Sequence, residues 1–430
     1  MLIKTIFISL LILFSNFVAA NLEIQHWELD NGARIYLIEN HDLPIVDINV
    51  DFRAGSVKDT KQKSGLASLT NHMMTLGSGG INDEDLANRF IDIGAQLNSS
   101  FDKDKSGFSV RTLTEKKNEA IDLLTLVLHK PNFDNNILER EKNRYVASIK
   151  QADMMPSSIA SKAFMKALYG QHPYALSDSG DVKAIQKITS KDLHNFYKNN
   201  YLPDALSIVI VGDISRREAE DLGAKISLGL PKNKKTQEIP LVIDIEGQEI
   251  RISHPAKQAH LFYGAPIIKR GDPDFLPLYL GNYILGGGGF VSRLTQEIRE
   301  DRGLAYSVYS YFIPFIEKGP FQIGVQTKKN QVDQAKKIIE KVVAEFIKNG
   351  PTSNELKRAK DFMIGGFPLK LDSNKSILEY VSMMAFYKYP LDYLDTFTKK
   401  IDNISAEEIK SAFQRRVDMS KFSIVIVGSE

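Results

Sequence analysis

The sequence predicts an α+β protein made of two homologous domains, an internal duplication. Each domain is expected to be a mixed, largely antiparallel sheet packed with helices, the two facing each other across a cleft. Three observations carry this prediction. The hexapeptide SIVIVG stands at Ser207–Gly212 and returns at Ser423–Gly428, 216 positions later (423 − 207). The match continues backwards without a gap, ITSKDLHNFY from Ile188 aligning with ISAEEIKSAF from Ile404. Finally, strand-like and helix-like stretches are mixed rather than strictly alternating, which argues for an α+β architecture with a partly antiparallel sheet.

The elements follow in chain order. Met1–Ala20 reads MLIKTIFISLLILFSNFVAA, with Lys4 ahead of an apolar run from Ile6 to Phe14 and small residues at Val18 and Ala20. This is the pattern of a secretory signal peptide, with the mature chain starting at Asn21. The apolar core is shorter than the ~20 residues that span a bilayer. Export is therefore expected, most simply into a bacterial periplasm, with no integral membrane segment after cleavage.

The first domain covers 21–230. Pro44–Ala54 reads as a strand and Ser64–Leu76 as a helix. Each half ends alike: a Ser/Thr cap with an acidic residue in the first turn opens an amphipathic helix. A continuous Ile/Val run then reads as a buried strand. Fainter echoes tie EAIDLLTLVL to QAKKIIEKVV and LEREK at Leu138 to LKRAK at Leu356. PKNKKTQEIP, lysine-rich and bounded by Pro231 and Pro240, marks a linker over 231–241, and the second domain runs over 242–430.

Composition narrows the function. Lys+Arg total 55 and Asp+Glu 53, a formal net charge of +2. That balance gives no support for a nucleic-acid partner. Cysteine is absent, which removes disulfides, thiolate zinc sites, iron–sulfur clusters and a cysteine nucleophile together. No two of the eight histidines have the i,i+4 spacing that places two imidazoles on one helical face. His254 and His260 read as loop residues, and the four glycines Gly286–Gly289 as a flexible or tightly packed turn.

One segment says more. Gly65–Gly77 reads GLASLTNHMMTLG. It follows FRAGSVKD at Phe52–Asp59 and precedes, in order, DIGAQLNSSFDKDKSGFSV, ILEREK, QADMMP, GQHPYALSDSG and NNYLPDALSIVIVGDIS, with LGGGGFVSRLTQEIREDRGLAYSV in the second half. Across essentially all of Asn21–Glu430 this order resembles the M16 metallopeptidases, the inverzincin family of pitrilysin, insulysin and the mitochondrial processing peptidase. In that family an H-x-x-E-H helix binds zinc through its two histidines, and its glutamate activates water.

The resemblance implies a departure as well as a match. On the helix at 65–77 the first zinc histidine falls on Ser68 and the general base on Asn71, and the second histidine remains as His72. The third ligand, a glutamate on a later helix, falls on Ser148. Serine and asparagine bring neither imidazole nor carboxylate charge, and an amide is no base at neutral pH. The resemblance thus implies a degenerate zinc motif, with no metal or cofactor in this chain. In the second half, Arg299 and Tyr306 match the family's R-x6-Y pair, which reaches across the cleft to donate hydrogen bonds to the scissile carbonyl. Leu97, Asn98 and Ser99 resemble the strand that pairs with substrate backbone. Its alternative reading is an ordinary edge strand protected by Asp102, Lys103 and Asp104. Gly287, Gly288 and Gly289 would let a substrate backbone approach closely.

The expectation is a non-catalytic subunit of an exported heterodimeric M16-type peptidase, active only within that complex. It would supply Arg299, Tyr306 and a surface for peptide or unfolded protein to a sister chain that carries the zinc. A peptide-binding or assembly protein without hydrolytic role is the alternative, and a solitary metallopeptidase the third.

Overall fold

The computed structural model describes residues 23–232 and 237–429; the expected signal peptide lies outside them. Two sheets organise the chain. The first contains β1 (Gln25–Glu28), β2 (Arg34–Glu39), β3 (Ile45–Phe52), β4 (Gln96–Phe101), β5 (Ser106–Leu113) and β6 (Leu206–Gly212), in the order β1-β2-β6-β3-β5-β4. The second contains β7 (Glu249–Ser253), β8 (Gln258–Ile268), β9 (Ala305–Phe312), β10 (Gly319–Lys328) and β11 (Ser423–Ser429), in the order β7-β11-β8-β10-β9. Only β2/β6 and β7/β11 are parallel pairs. With β6 matched to β11, β2-β6-β3-β5-β4 corresponds to β7-β11-β8-β10-β9, with β1 extra in the first sheet, so the duplication read from SIVIVG extends to topology. His260, expected in a loop, lies within β8.

The repeated segments fold as the sequence indicates. Thr189 and Ser405 each close a capping box, with Asp192 and Glu408 returning the hydrogen bond. The strands that follow, β6 and β11, are buried on both faces. In β6, Leu206, Ile208 and Ile210 join the first-half core, while Val209 and Val211 join the core of the second half. In β11, Ile424 and Ile426 face their own half, while Val425 and Val427 pack against a helix from the other. Burial on two sides is why both runs are unbroken Ile/Val rather than alternating.

The second layer on each sheet is exchanged between the halves. Of the helices, α1 (Leu66–Met74), α2 (Asn135–Ala152), α3 (Pro156–Tyr169) and α4 (Asn374–Tyr387) matter most here. Helix α3 leaves the first half and lies on β8 and β11; α4 leaves the second half and lies on β6 and β3. Phe164 of α3 stacks on Phe262 of β8 at 5.6 Å, and Ala160, Ala167 and Leu168 fill in beside it. On the other side the Arg34 guanidinium donates to the Ala385 carbonyl near the end of α4, at 2.7 Å. A buried carboxylate, Asp104, adds a third tie: it accepts from Tyr174 at 2.7 Å, from the Ile316 amide at 2.8 Å and from Tyr387 at 3.0 Å. The expected protection of the β4 edge by Asp102, Lys103 and Asp104 is therefore not what these residues provide, since Lys103 and Asp104 are buried. Lys103 pairs with Asp178 at 2.8 Å.

Exchanged helices couple the halves, so they should unfold together. Phe164→Ala empties a fully buried site and should cost about 3–5 kcal/mol. Urea denaturation followed by fluorescence and by circular dichroism should show one coincident, shifted transition for both halves.

Candidate functional site

Helix α1 is placed by its own start. Gly65 takes a left-handed conformation (φ +86°), and the Asp59 carboxylate accepts from the Gly65 amide at 2.7 Å and the Ala67 amide at 2.9 Å. These are amide groups that a helix start leaves without partners. Ala67, Leu69, Met73 and Met74 anchor α1 in the first-half core. Ser68 and His72, one turn apart, are thereby turned toward α2.

Helix α2 begins at an Asp134 cap, which accepts from the Asn136 and Ile137 amides, and it is held in the core by Leu138 and Ile149. The His72 Nε2 lies 3.0 Å from Oε2 of Glu141, and Ser68 Oγ lies 3.2 Å from the Tyr145 hydroxyl. The Glu141 side chain is only 2% exposed, and its Oε1 also accepts from Arg140 Nε at 2.8 Å and Arg144 at 3.2 Å. Burial pushes the Glu141 carboxyl up, but the bonds from His72, Arg140 and Arg144 outweigh it and hold it below the usual range. Ser148 stands exposed two turns further along α2. The family resemblance points to Ser148, whereas the residue that meets His72 is Glu141, whose sequence signal is ILEREK, an acid inside a helix whose turns face α1.

Asn71 is buried and points to the sheet. Its amide nitrogen lies 2.7 Å from Ser106 Oγ, 3.3 Å from the Ser100 carbonyl and 3.4 Å from the Gly107 carbonyl. It pins α1 to β4 and β5 by donating.

These residues do not fit a catalytic zinc centre, which needs three ligands of imidazole or carboxylate type around one open position. Only His72 and Glu141 are of that type, and the lone pairs of Glu141 are taken up by two guanidinium groups and an imidazole. Among the described residues no group of three His, Cys, Asp or Glu is placed to hold a metal.

The second-half residues lie on a different surface. Tyr306 stands near the start of β9 and is 75% exposed; Phe290 is 67% exposed. Between the two rings lies Arg299, its guanidinium 4.8 Å from the Phe290 centroid and 5.7 Å from that of Tyr306. Arg299 is half-buried, and cation–π attraction of this kind, with Glu300 Oε1 3.4 Å from its Nε, favours this placement of the guanidinium. The glycine run divides by role. Side chains at Gly286 and Gly287 would collide with Ser310 and Asn282, so these two serve tight packing within the fold. Gly289 takes φ +60° and has open space around its Cα. Leu97, Asn98 and Ser99 lie on β4, the outermost strand of the first sheet.

Residues 34–181 match the model of insulinase (peptidase family M16), and residues 187–363, from the last part of the first half into the second, match the model of the peptidase M16 inactive domain. The chain is 30% identical over 354 residues to the uncharacterized zinc protease YmxG of Bacillus subtilis, covering 82% of this chain and 86% of that protein. The chain belongs to the M16 peptidase family. It is also 29% identical over 412 residues to the non-peptidase homolog YmxG of Helicobacter pylori, covering 95% and 94%. Among solved structures, a peptidase M16 inactive domain from Pseudomonas fluorescens superimposes with TM-score 0.92 at 36% identity, covering 95% of this chain and 99% of that one. The periplasmic protease PqqL from Escherichia coli shares the fold, with TM-score 0.81 at 15% identity, and this M16 chain spans 45% of its length.

Three outcomes are expected. Dialysis against zinc followed by metal analysis should leave well under one zinc per chain. Installing Ser68→His, Asn71→Glu and Ser148→Glu should not restore tight binding. Asn71→Glu alone should cost about 1–3 kcal/mol in urea denaturation, because it replaces a donor to two carbonyls with an acceptor.

Asp59 sets a pH dependence. Burial raises its carboxyl to about 7, against the lowering pull of the Ala67 and Gly65 amides. The folded chain therefore binds this proton more readily than the unfolded chain does. The contribution is fully present below about pH 4 and is lost as pH rises through about 7. Melting temperatures from pH 4 to 8 should show this slope flattened in Asp59→Asn.

Proposed function

We propose that this chain is a non-catalytic subunit of an exported, heterodimeric M16-type peptidase. It offers Arg299 and Tyr306, with a peptide-binding surface, to a sister subunit that carries the zinc and the general base. The observation that carries this reading is an opposition between the two halves. Where the family's zinc helix stands, Ser68, Asn71 and His72 are committed to Tyr145, to the sheet and to Glu141. Tyr306 is exposed, the half-buried Arg299 guanidinium lies 5.7 Å from its ring centroid, and the Tyr306 hydroxyl makes no hydrogen bond among the described residues. A guanidinium and a phenol held together can donate to a carbonyl oxygen as it becomes an oxyanion. The names of the Helicobacter and Pseudomonas relatives support a chain without its own activity. The Met1–Ala20 pattern and the periplasmic PqqL neighbour support export, and no helix among the described residues is long and apolar enough to cross a membrane.

A peptide-binding protein without hydrolytic role is the second reading. The outward edge of β4, with Asn98 and Ser99 exposed, supports it, because strand addition needs only free backbone groups.

The test is co-expression with a zinc-bearing M16 chain and steady-state kinetics on a quenched peptide. Arg299→Ala or Tyr306→Phe should lower kcat by roughly 10²–10³ while assembly is unchanged. The chain alone should show no chelator-sensitive hydrolysis. Full activity with both variants, or robust chelator-sensitive proteolysis by the unmodified chain alone, would overturn the reading.

A further inference from the structure

The two faces under the exchanged helices differ in a way the architecture does not require. In the second sheet the face beneath α3 is apolar, built from Phe262, Val425 and Val427. In the first sheet, β3 reads IVDINVDF. Val46, Ile48, Val50 and Phe52 fill the first-half core, and Asp47, Asn49 and Asp51 turn to the face that meets α4. All three are nonetheless buried.

A groove of about 450 Å³ opens there, between this polar face and α4. Asp47 and Asn49 line it from β3, Asn98 and Ser100 from β4, and the exposed Lys375 and Glu379 from α4. Asp47 is 3% exposed, yet its Oδ2 has no hydrogen-bond partner among the described residues. Its nearest cation, Arg111, is 3.7 Å from Oδ1, beyond hydrogen-bond reach, and that side chain is 38% exposed. Ser382 Oγ, on the α4 wall, is also unpartnered. Burial pushes the Asp47 carboxyl up, while Arg111 and Lys375 pull it back. A buried carboxylate without a bonded partner is costly and uncommon in a folded protein. Asp51, four residues on, also has an unpartnered oxygen, Oδ1, but its Oδ2 has Lys105 at 2.9 Å, so the lack of a bonded cation distinguishes Asp47.

An ionised carboxylate can only accept, so the missing partner is a donor, best a cationic one. The groove is also continuous with β4, whose edge is free. A segment pairing with that edge would send alternate side chains to the α4 side. We propose that this groove receives the basic side chain, arginine or lysine, of a polypeptide bound along β4, with Asp47 as its counter-charge, Glu379 as a second anion at the mouth and Arg111 as the group it displaces. The proposal rests on the peptide-binding part of the function above and names a selectivity for it.

The experiment uses the full chain and two labelled, extended peptides that differ at one central position, arginine or citrulline. Citrulline keeps the shape and loses the charge. Fluorescence anisotropy should show the arginine peptide binding at least about tenfold more tightly. The gap should close in Asp47→Asn and widen in Arg111→Gln. Asp47→Asn should melt no lower than the unmodified chain, since it removes a buried charge without a bonded partner; were it not to fold, the Arg111→Gln gap decides alone. Equal binding of both peptides by the unmodified chain would overturn the groove assignment and leave peptide binding standing. Binding of neither peptide would overturn both.

Discussion

Each sheet of this protein is covered on its second face by a helix from the other half. That reciprocal cover is the constraint on which the remaining structure depends. It makes β6 and β11 interior strands on both sides, and it brings Asp104, Tyr174 and Tyr387 into one buried cluster at the seam. It also fixes how the halves sit, because neither sheet can be stripped of its cover without exposing Val209 and Val211 or Val425 and Val427.

The contact between α1 and α2 is a hydrogen-bonded joint. Zinc ties two helices through its ligands. Here α1 and α2 are tied by Ser68 to Tyr145 and by His72 to Glu141, and Asn71 adds a tie to the sheet. The joint is made by hydrogen bonds that use up the acceptors a metal would need. Arg140 and Arg144 add two guanidinium groups to the Glu141 carboxylate at this contact. The same helices thus keep their packing while the chemistry at their contact changes, a separation of fold from site that M16 relatives named both protease and non-peptidase homolog also display.

The two halves have diverged most where they face α3 and α4. One sheet meets its visiting helix through an aromatic and aliphatic surface, the other partly through carboxylates, amides and hydroxyls. An apolar surface there would have served stability better. The polar one leaves Asp47 and Ser382 without bonded partners, and imperfect burial of that kind is usual where a protein binds something.

The sequence by itself determined the duplication, the mixed sheets and the capping of the terminal helices, and it put serine and asparagine, which are not zinc-ligand types, at 68 and 71. Each of these is a local property: a repeated string, a periodicity, a cap three residues from its acid, or the chemistry of one side chain. The open edge of β4 was also legible, as a polar strand beside charged residues. Tertiary structure alone decided the rest. It showed that Glu141 rather than Ser148 meets His72, because which turn of α2 faces α1 is set by packing between helices. It turned Lys103 and Asp104 from surface charges into seam contacts, and it placed Arg299 between Phe290 and Tyr306. The exchange of α3 and α4 left only one trace in the sequence, the unbroken SIVIVG. A strand records that both its faces are buried, but not which part of the chain covers them.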